Sequence, residues 1–222
     1  MPFTAEQFFE VFRRYNVAVW PMQWVLYAAA LSAVWIAFRM PRKSRLLGGL
    51  LAALWLWMAV AYHWVFFSAI NPAATVFGVL FAAEAVLLLV WTRRERDLVI
   101  RARATVEGVV GGMFVLYALV AYPLLALALG HRYPAAPTFG LPCPTTIFTF
   151  GVLLWVEKPV PRRLLVVPAA WSLLGFSAVR PFGVIEDTGL LVAGIVAVVL
   201  LLRRHRSAGP KGTLQRVARS AA

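Results

Sequence analysis

Residues 46–92 read LLGGLLAALWLWMAVAYHWVFFSAI (46–70), NPA (71–73) and ATVFGVLFAAEAVLLLVWT (74–92), two long apolar segments joined by a three-residue break. The hydrocarbon core of a bilayer is about 30 Å thick, and a helix needs roughly 20 apolar residues to cross it. Asn71-Pro72 is typical of a turn that starts a helix, because proline suits the first helical position. The stretch therefore predicts two antiparallel helices that cross a membrane.

Five further apolar segments flank this pair. They are residues 17–38, 107–129, 144–156, 164–179 and 188–202. The sequence therefore predicts an all-α fold, a polytopic membrane helix bundle with seven transmembrane helices. The shortest segment is 144–156, and we extend it back through FGLPC (139–143) as a partly unwound start. The motif GVVGG (108–112) gives its segment a surface of small residues for close helix packing.

The basic residues favour one orientation of this bundle. All 22 Lys and Arg residues lie outside the seven segments, and eighteen of them fall on one side if every segment crosses. Those eighteen are Arg39, Arg42, Lys43, Arg45, Arg93, Arg94, Arg96, Arg101, Arg103, Lys158, Arg162, Arg163 and six from Arg203 to Arg219. Cytoplasmic loops carry the excess of Lys and Arg, so we expect the N-terminus outside and the C-terminus in the cytoplasm. Without a crossing at 144–156 this asymmetry would disappear, which is why we keep seven.

The net charge of +13 is explained by this topology, and we expect no nucleic-acid partner. Basic clusters beside a membrane attract anionic lipids at about 1 kcal/mol per residue near the surface. The expected partners are the lipid bilayer, with anionic lipids at the cytoplasmic basic loops, and a small solute or ion. The sequence leaves a homo-oligomer open.

The chain divides into three regions without a separable soluble domain. Residues 1–16 are expected to form an amphipathic interfacial helix, residues 17–202 the seven-span membrane domain, and residues 203–222 a flexible, basic cytoplasmic tail. Within the first region, TAEQ (4–7) fits a capping box. Its helix is expected to lie on the outer membrane surface.

Apolar side chains around this first helix support that interpretation. Phe3 and Phe8 occupy the positions of a hydrophobic staple on either side of the capping box. Phe8, Phe12 and Tyr15 recur at helical spacing, which predicts one apolar face. We expect that face to rest on the membrane.

Two ionisable side chains, Glu84 and His63, lie well inside the apolar segments, away from their ends. A charge in hydrocarbon costs about 2.5–3.5 kcal/mol or more, so such residues usually serve a function and face the bundle interior. We expect Glu84 to be held in its protonated form. The functional hypothesis is a proton or cation path from outside, with Asn71, Thr145 and Thr146 as further polar groups along it. The alternative is that Glu84 and His63 are neutral and satisfied by neighbouring hydroxyl or carbonyl groups.

A second polar group is predicted at the outer ends of the helices, where His131, Cys143, Glu186 and Asp187 would line a vestibule. Imidazole and thiolate are ligands that suit zinc or copper, so His63, His131 and Cys143 are candidate metal ligands. No HxxxH, CxxC or HExxH motif accompanies them. Glu186-Asp187 also suits the start of a helix, where negative charge is stabilised by the helix dipole. We predict no cofactor and leave a metal ion open.

Several blocks of the chain carry a family resemblance. They read MPFTAEQF (1–8), YN (15–16), VWP (19–21), YH (62–63), AINPAA (69–74) and, longest, APTFGLPCPTTIFTFG (136–151). With these blocks the chain resembles a family of uncharacterised bacterial multi-pass membrane proteins, a domain of unknown function. The resemblance implies several helices and a place in the bacterial cytoplasmic (inner) membrane. It implies no activity.

Three classes of function remain open on this basis. We favour a transporter or channel for a small solute or ion, because of the buried Glu84 and the absence of a soluble domain. A non-catalytic membrane assembly or sensing component is one alternative. A membrane-embedded, metal-dependent hydrolase is another, and an enzyme is the weaker interpretation.

Overall fold

The computed structural model of the chain describes residues 3–95 and 97–207, with side chains up to residue 204, and this part is helical without a β-strand. Its helices are α1 Ala5–Ala18, α2 Met22–Arg39, α3 Ser44–Ala69, α4 Ala74–Arg94, α5 Val106–Ala128, α6 Pro142–Leu154, α7 Arg163–Phe176, α8 Val179–Phe182 and α9 Thr188–Ser207. The predicted tail beyond residue 207, Arg96 of a basic loop and the first two residues of the interfacial helix lie outside the described residues.

Within the described residues, five helices are long and apolar enough to cross a membrane by length and composition: α2, α3, α4, α5 and α9 with the turn before it. The apolar helices α6 and α7 are shorter, with 13 and 14 residues. Each of the seven predicted apolar segments is helical, so the all-α prediction is confirmed. Seven crossings and their orientation stay predictions.

Helix α3 changes its geometry near the end that holds His63. Between Met58 and Phe66 it widens to a π-helix, and it ends in a 3₁₀ turn at Phe67–Ala69. π-Helical segments are rare and are frequent at functional sites. Helix α5 has a shorter π segment at Tyr117–Ala121, before Pro123. Proline has no backbone N–H, so the regular hydrogen-bond pattern is interrupted there.

Helices α3 and α4 pack side by side as the predicted antiparallel pair. A Cβ atom on Gly48 would lie 2.2 Å from the Thr92 hydroxyl, and one on Gly78 would lie 2.1 Å from Trp64 Nε1. These glycines therefore allow the two helices to approach each other closely at both ends.

Helix α6, the shortest of the predicted spans, is the centre of the bundle. Every residue of α6 except Cys143 is buried, and α5, α7, α9 and α3 all contact it. The backbones of α5 and α6 touch, because a Cβ on Gly111 would lie 2.6 Å from the carbonyl oxygen of Gly151. Trp55 of α3 donates to the Thr149 hydroxyl of α6 at 3.0 Å. The predicted unwound start lies before Pro142, where Gly140 has φ +99°.

The connections between helices gather at two ends of the bundle. At one end the Ile100 amide donates to the Pro41 carbonyl at 3.1 Å, and the Arg101 amide donates to the Trp155 carbonyl at 2.9 Å. Arg204 of α9 donates there to the carbonyls of Val156 and Leu154, where α6 ends. A cation at this position is favourable because carbonyl groups at the end of a helix carry partial negative charge.

Helix α1 lies across the opposite end. Its capping box is formed as predicted: Gln7 N–H donates to Thr4 Oγ1 at 3.3 Å, and Thr4 N–H donates to Gln7 Oε1 at 2.9 Å. The apolar face of α1 differs from the prediction, since Phe12 and Tyr15 are buried against other helices of this chain. The aromatic side chains of α1 therefore contact protein where we expected lipid.

Candidate functional site

A partly open cavity of about 420 Å³ lies beneath α1, bordered by the end of α3, the start of α4, the start of α6, the end of α7, and α8. Eight of its lining residues are aromatic: Phe3, Phe8, Phe12, Tyr62, Phe67, Phe77, Trp171 and Phe182. Their rings pack on one another, with Phe8 and Phe182 stacked at 4.7 Å between centroids. The cavity is therefore an aromatic chamber, held at its top by the first helix of the chain.

A few polar side chains converge on this chamber. Asn71, Cys143, Ser177 and Asp187 line it, together with the hydroxyl-bearing Tyr62. Asn71 Oδ1 accepts a hydrogen bond from the Ala73 amide at 3.1 Å, as in a turn that starts a helix. No Lys, Arg or His is among the lining residues that the structure describes. The polar side chains that line the chamber are therefore either acidic or neutral.

Asp187 is the lining residue with a carboxyl group. Only 2% of it is exposed, and its Oδ1 accepts a hydrogen bond from the Tyr122 hydroxyl at 2.6 Å. It lies in the 3₁₀ turn Ile185–Asp187 that leads into α9. Tyr122 of α5 therefore holds the carboxyl group in place at the wall of the chamber.

Trp171 and Cys143 meet beside the same wall. A Cβ on Gly175 would lie 3.4 Å from Cys143 Sγ and 3.7 Å from Trp171 Nε1, so all three groups are neighbours. The Trp171 indole N–H is buried without a hydrogen-bond partner in the described part of the chain. A buried polar group of this kind calls for an explanation such as a bound molecule.

His63 lies behind the aromatic wall. It is fully buried in the π-helical part of α3, with ring centroids 5.1 Å from Trp171 and 5.9 Å from Phe77, both of which line the chamber. On its other side the Phe81 ring lies at 4.5 Å. Neither ring nitrogen of His63 has a hydrogen-bond partner among the described residues. One layer of aromatic rings thus separates this imidazole from the chamber.

Glu84 is fully buried on α4, one helical turn beyond Phe81. Both of its carboxyl oxygens lack a hydrogen-bond partner within residues 3–95 and 97–207. His63 and Glu84 therefore do not bond to each other, and neither is satisfied by a neighbouring hydroxyl or carbonyl group of the described structure. Together they leave four buried polar atoms without partners in one pair of helices.

The other predicted path residues lie in the centre of the bundle. Thr145 Oγ1 accepts a hydrogen bond from the Gly140 amide at 3.2 Å, which holds the start of α6. Thr146 is fully buried, and its hydroxyl has no partner in the described structure. Neither threonine lines the chamber.

The predicted vestibule residues separate into two groups. Cys143 and Asp187 line the chamber, whereas His131 and Glu186 form a pair beside it, with His131 Nδ1 2.9 Å from Glu186 Oε1. Glu186 is fully buried and its backbone carbonyl accepts from the Tyr117 hydroxyl at 2.7 Å. The two acidic residues of the turn therefore have different partners.

A metal-binding arrangement was left open by the sequence. In the part of the chain that the structure describes, no three His, Cys, Asp or Glu side chains come together in a group that could hold a metal ion. The candidate ligands His63, His131 and Cys143 lie in different surroundings: one behind the aromatic wall, one paired with Glu186 and one at the chamber.

Sequence reasoning missed the aromatic chamber itself. Its lining comes from residues as distant as Phe3 and Phe182, and each of these phenylalanines alone is an ordinary apolar residue. The one signal available was the recurrence of Phe8 and Phe12 on one face of the first helix, which we assigned to the membrane surface.

Comparison with known proteins identifies a family for this chain but does not indicate an activity. Residues 5–211 match a family model described as "Family of unknown function (DUF6064)". No curated protein and no solved structure matches the chain. The match covers nearly the whole sequence, including every residue of the chamber except Phe3.

Proposed function

The chain belongs to the family of unknown function DUF6064, and from its own geometry we propose that it is a bacterial inner-membrane transporter of a small solute or ion. In this proposal the aromatic chamber is the outer opening, and His63 and Glu84 are the ionisable groups that the transported species or its coupling ion meets next. The observation that carries it is the complete burial of these two side chains without hydrogen-bond partners in the described structure.

We propose seven crossings with the N-terminus outside. The contacts among the connections support this, because Pro41, Ile100, Val156 and Arg204 meet at one end of the bundle. The basic residues assign Pro41 and Ile100, which lie in loops, and Arg204 of the tail region to the cytoplasm, and Val156 ends the fifth predicted segment on the same side. Helix α6 has only 13 residues, but its burial among other helices removes the need for a full lipid-facing length.

Burial of ionisable groups in a membrane bundle usually marks a path for ions or protons. Such groups are costly in hydrocarbon, and they occur mainly where they pair with each other or face a transported species. Here their side-chain polar atoms have no partners in the described structure, although the large majority of buried side-chain polar atoms in proteins have one. The π-helical segment that carries His63 is a second feature frequent at functional sites.

The order of groups along α3 and α4 supports a path. From the chamber, the rings of Trp171 and Phe77 come first, His63 follows behind them, Phe81 lies against His63, and Glu84 is one turn further along α4. In this proposal a movement of one of these aromatic side chains connects the chamber with His63. The aromatic layer therefore serves as a gate in this proposal.

Proton flux into liposomes tests the proposal. Purified protein is reconstituted into vesicles containing a pH-sensitive dye, and a potassium diffusion potential with valinomycin drives protons inward. We expect the parent protein to conduct and Glu84→Gln to lose the flux, because an amide resembles the protonated acid in shape but cannot exchange a proton. Glu10→Gln is the matched control, since Glu10 is half exposed on α1, where it pairs with Arg13 at 3.1 Å.

The result distinguishes transport from a structural role. Equal flux in Glu84→Gln and the parent protein would remove Glu84 from the path. No flux above empty vesicles with the folded parent protein would contradict transport and favour an assembly or sensing component. Folding of each variant is checked by thermal unfolding in detergent before reconstitution.

A further inference from the structure

The chamber under α1 has a charge character opposite to that of the whole chain. The chain carries a net charge of +13, yet no Lys, Arg or His lines the chamber in the described structure, and its lining includes the carboxyl group of Asp187. Glu186 adds a second carboxyl group directly beside it in the sequence, with His131 as its partner. An anionic ligand would meet unfavourable charge at this wall, whereas a cation would meet a favourable one.

The aromatic lining points in the same direction. The faces of Phe, Tyr and Trp rings are electron-rich, and they attract a cation that lies within about 6 Å of the ring centroid. Cages of aromatic rings are a known means of binding quaternary ammonium groups. The chamber combines eight aromatic residues with one buried carboxyl group. Aromatic rings alone would suit any apolar molecule, but together with an acidic group they favour a cationic one.

We propose that this chamber binds a small organic cation, an amine or quaternary ammonium compound. Asp187 supplies the counter-charge, and its position is fixed by the Tyr122 hydroxyl at 2.6 Å. The volume of about 420 Å³ lies within the range of roughly 300–1,000 Å³ that is typical of small-molecule sites. The Trp171 N–H is buried at the same wall, next to Cys143 Sγ. Binding of the cation by the chamber does not depend on the proposed function. The further statement that this cation is the transported substrate rests on the proposed transporter function.

Cys143 provides a built-in reporter for the test, because it lines the chamber and is the only cysteine of the chain. Two methanethiosulfonate reagents of opposite charge are used on purified protein in detergent: the 2-(trimethylammonium)ethyl and the 2-sulfonatoethyl reagent. In both, the thiolate attacks the reagent sulfur, a mixed disulfide forms and methanesulfinate leaves. Each rate is divided by the rate of the same reagent with 2-mercaptoethanol in solution, which removes their intrinsic difference.

We expect the normalised rate of the cationic reagent to exceed that of the anionic reagent by about tenfold or more, as electrostatic attraction into a low-dielectric cleft allows. In Asp187→Asn the ratio should fall towards one, while the amide oxygen keeps the hydrogen bond from Tyr122. A change in the reactivity of the thiol itself affects both reagents equally and cancels in the ratio. Glu186→Gln is the matched control and should keep most of the preference, because Glu186 does not line the chamber.

Protection by choline gives a second measurement on the unaltered protein. Choline should slow the labelling of Cys143, whereas 3,3-dimethyl-1-butanol, its uncharged carbon analogue, should not do so at the same concentration. Equal normalised rates for the two reagents, equal protection by the two compounds, or labelling of Cys143 only after denaturation would each overturn the proposal.

The two proposals fail in different ways. If Glu84→Gln keeps the protection by choline and the parent protein shows no flux, the cation site stands and the transport proposal fails. If the parent protein conducts and choline does not protect, transport stands and the substrate class is wrong.

Discussion

At the scale of single residues, Asn16 near the end of α1 makes several hydrogen bonds through its side chain. It is completely buried, and its Nδ2 donates to the carbonyls of Pro134 and Ala136 at 2.7 and 2.8 Å. Its Oδ1 accepts from the Thr138 hydroxyl at 2.7 Å. One amide thus joins α1 to the loop before α6. The sequence did not predict this role, because all three partners lie more than 100 residues away.

Asn16→Asp is the sharpest test of that junction. The substitution keeps the shape of the side chain but places an oxygen opposite two carbonyl oxygens in place of a donor. Loss of two hydrogen bonds to partly buried carbonyl groups is expected to cost about 2 kcal/mol in the free energy of unfolding. Thermal unfolding in detergent measures it, with Gln7→Glu on the exposed face of α1 as a control. An unchanged midpoint would mean that the loop is held by other contacts.

Tyr15, one residue before Asn16, also attaches α1 to the rest of the bundle. Its hydroxyl accepts a hydrogen bond from Trp57 Nε1 at 2.6 Å and faces the Gly140 carbonyl at 3.5 Å. Burial raises the pKa of the Tyr15 phenol far above its ordinary value, so the group stays neutral at all physiological pH values. The attachment of α1 through Tyr15 is therefore insensitive to pH.

At the scale of elements, α6 is held by a backbone contact with α5, and the sequence predicted only part of this contact. The GVVGG motif (108–112) predicted a packing surface on α5, with glycines at both ends of the motif. The structure puts Gly111 against Gly151 of α6, whereas Gly112 has open space where its Cβ would be. The motif identified the helix and the close contact, but a shift of one residue turns a helix surface by about 100° and changes which glycine is used.

Gly111→Ala and Gly112→Ala form a matched pair for this contact. The methyl group of Gly111→Ala would lie 2.6 Å from a backbone oxygen, which cannot move without shifting α6, so we expect a loss of about 1–3 kcal/mol in stability. Gly112→Ala should be neutral or slightly stabilising, because alanine favours a helix over glycine. Thermal unfolding in detergent compares them. Equal effects of the two substitutions would contradict the backbone contact.

The predictability of each element follows from how local its signal is. The helices were predicted from the sequence because an apolar segment is a local property of the chain, here over 13 to 25 residues. The turn at Asn71 was also predicted from a local signal, because Asn-Pro is typical of a turn that starts a helix. The buried face of α1 and the chamber were not, since both depend on which surfaces meet after the bundle has formed. Glu84 was expected to face the interior because charge in lipid is costly, and it is fully buried.

At the scale of the whole molecule, the basic residues and the contacts between connections describe the same two-ended bundle. The basic connections meet around the end of α6, where Arg103 pairs with Glu157 and Arg204 with Glu107. The chamber, α1 and the loop held by Asn16 lie at the other end. The molecule therefore has a strongly basic end and an opposite end that holds the aromatic chamber with Asp187.

A C-terminal fusion tests the orientation of these ends. Alkaline phosphatase fused after Ala222 should be inactive, because it folds only when exported, and the charge distribution predicts that this terminus is cytoplasmic. A fluorescent protein at the same position should fluoresce, and phosphatase fused before Met1 behind an export signal should be active. Strong phosphatase activity from the C-terminal fusion would reverse the orientation or remove one crossing.

The central position of α6 has a consequence for biogenesis. Its neighbour α5 is synthesised before it, but α7 and α9 emerge from the ribosome later, and Arg204 binds the end of α6 only after α9 is complete. With its threonines and only 13 residues, α6 is a poor candidate for partitioning alone into lipid. We therefore expect α6 to wait beside the insertion machinery until the last helix arrives, so that the order of assembly differs from the order of translation.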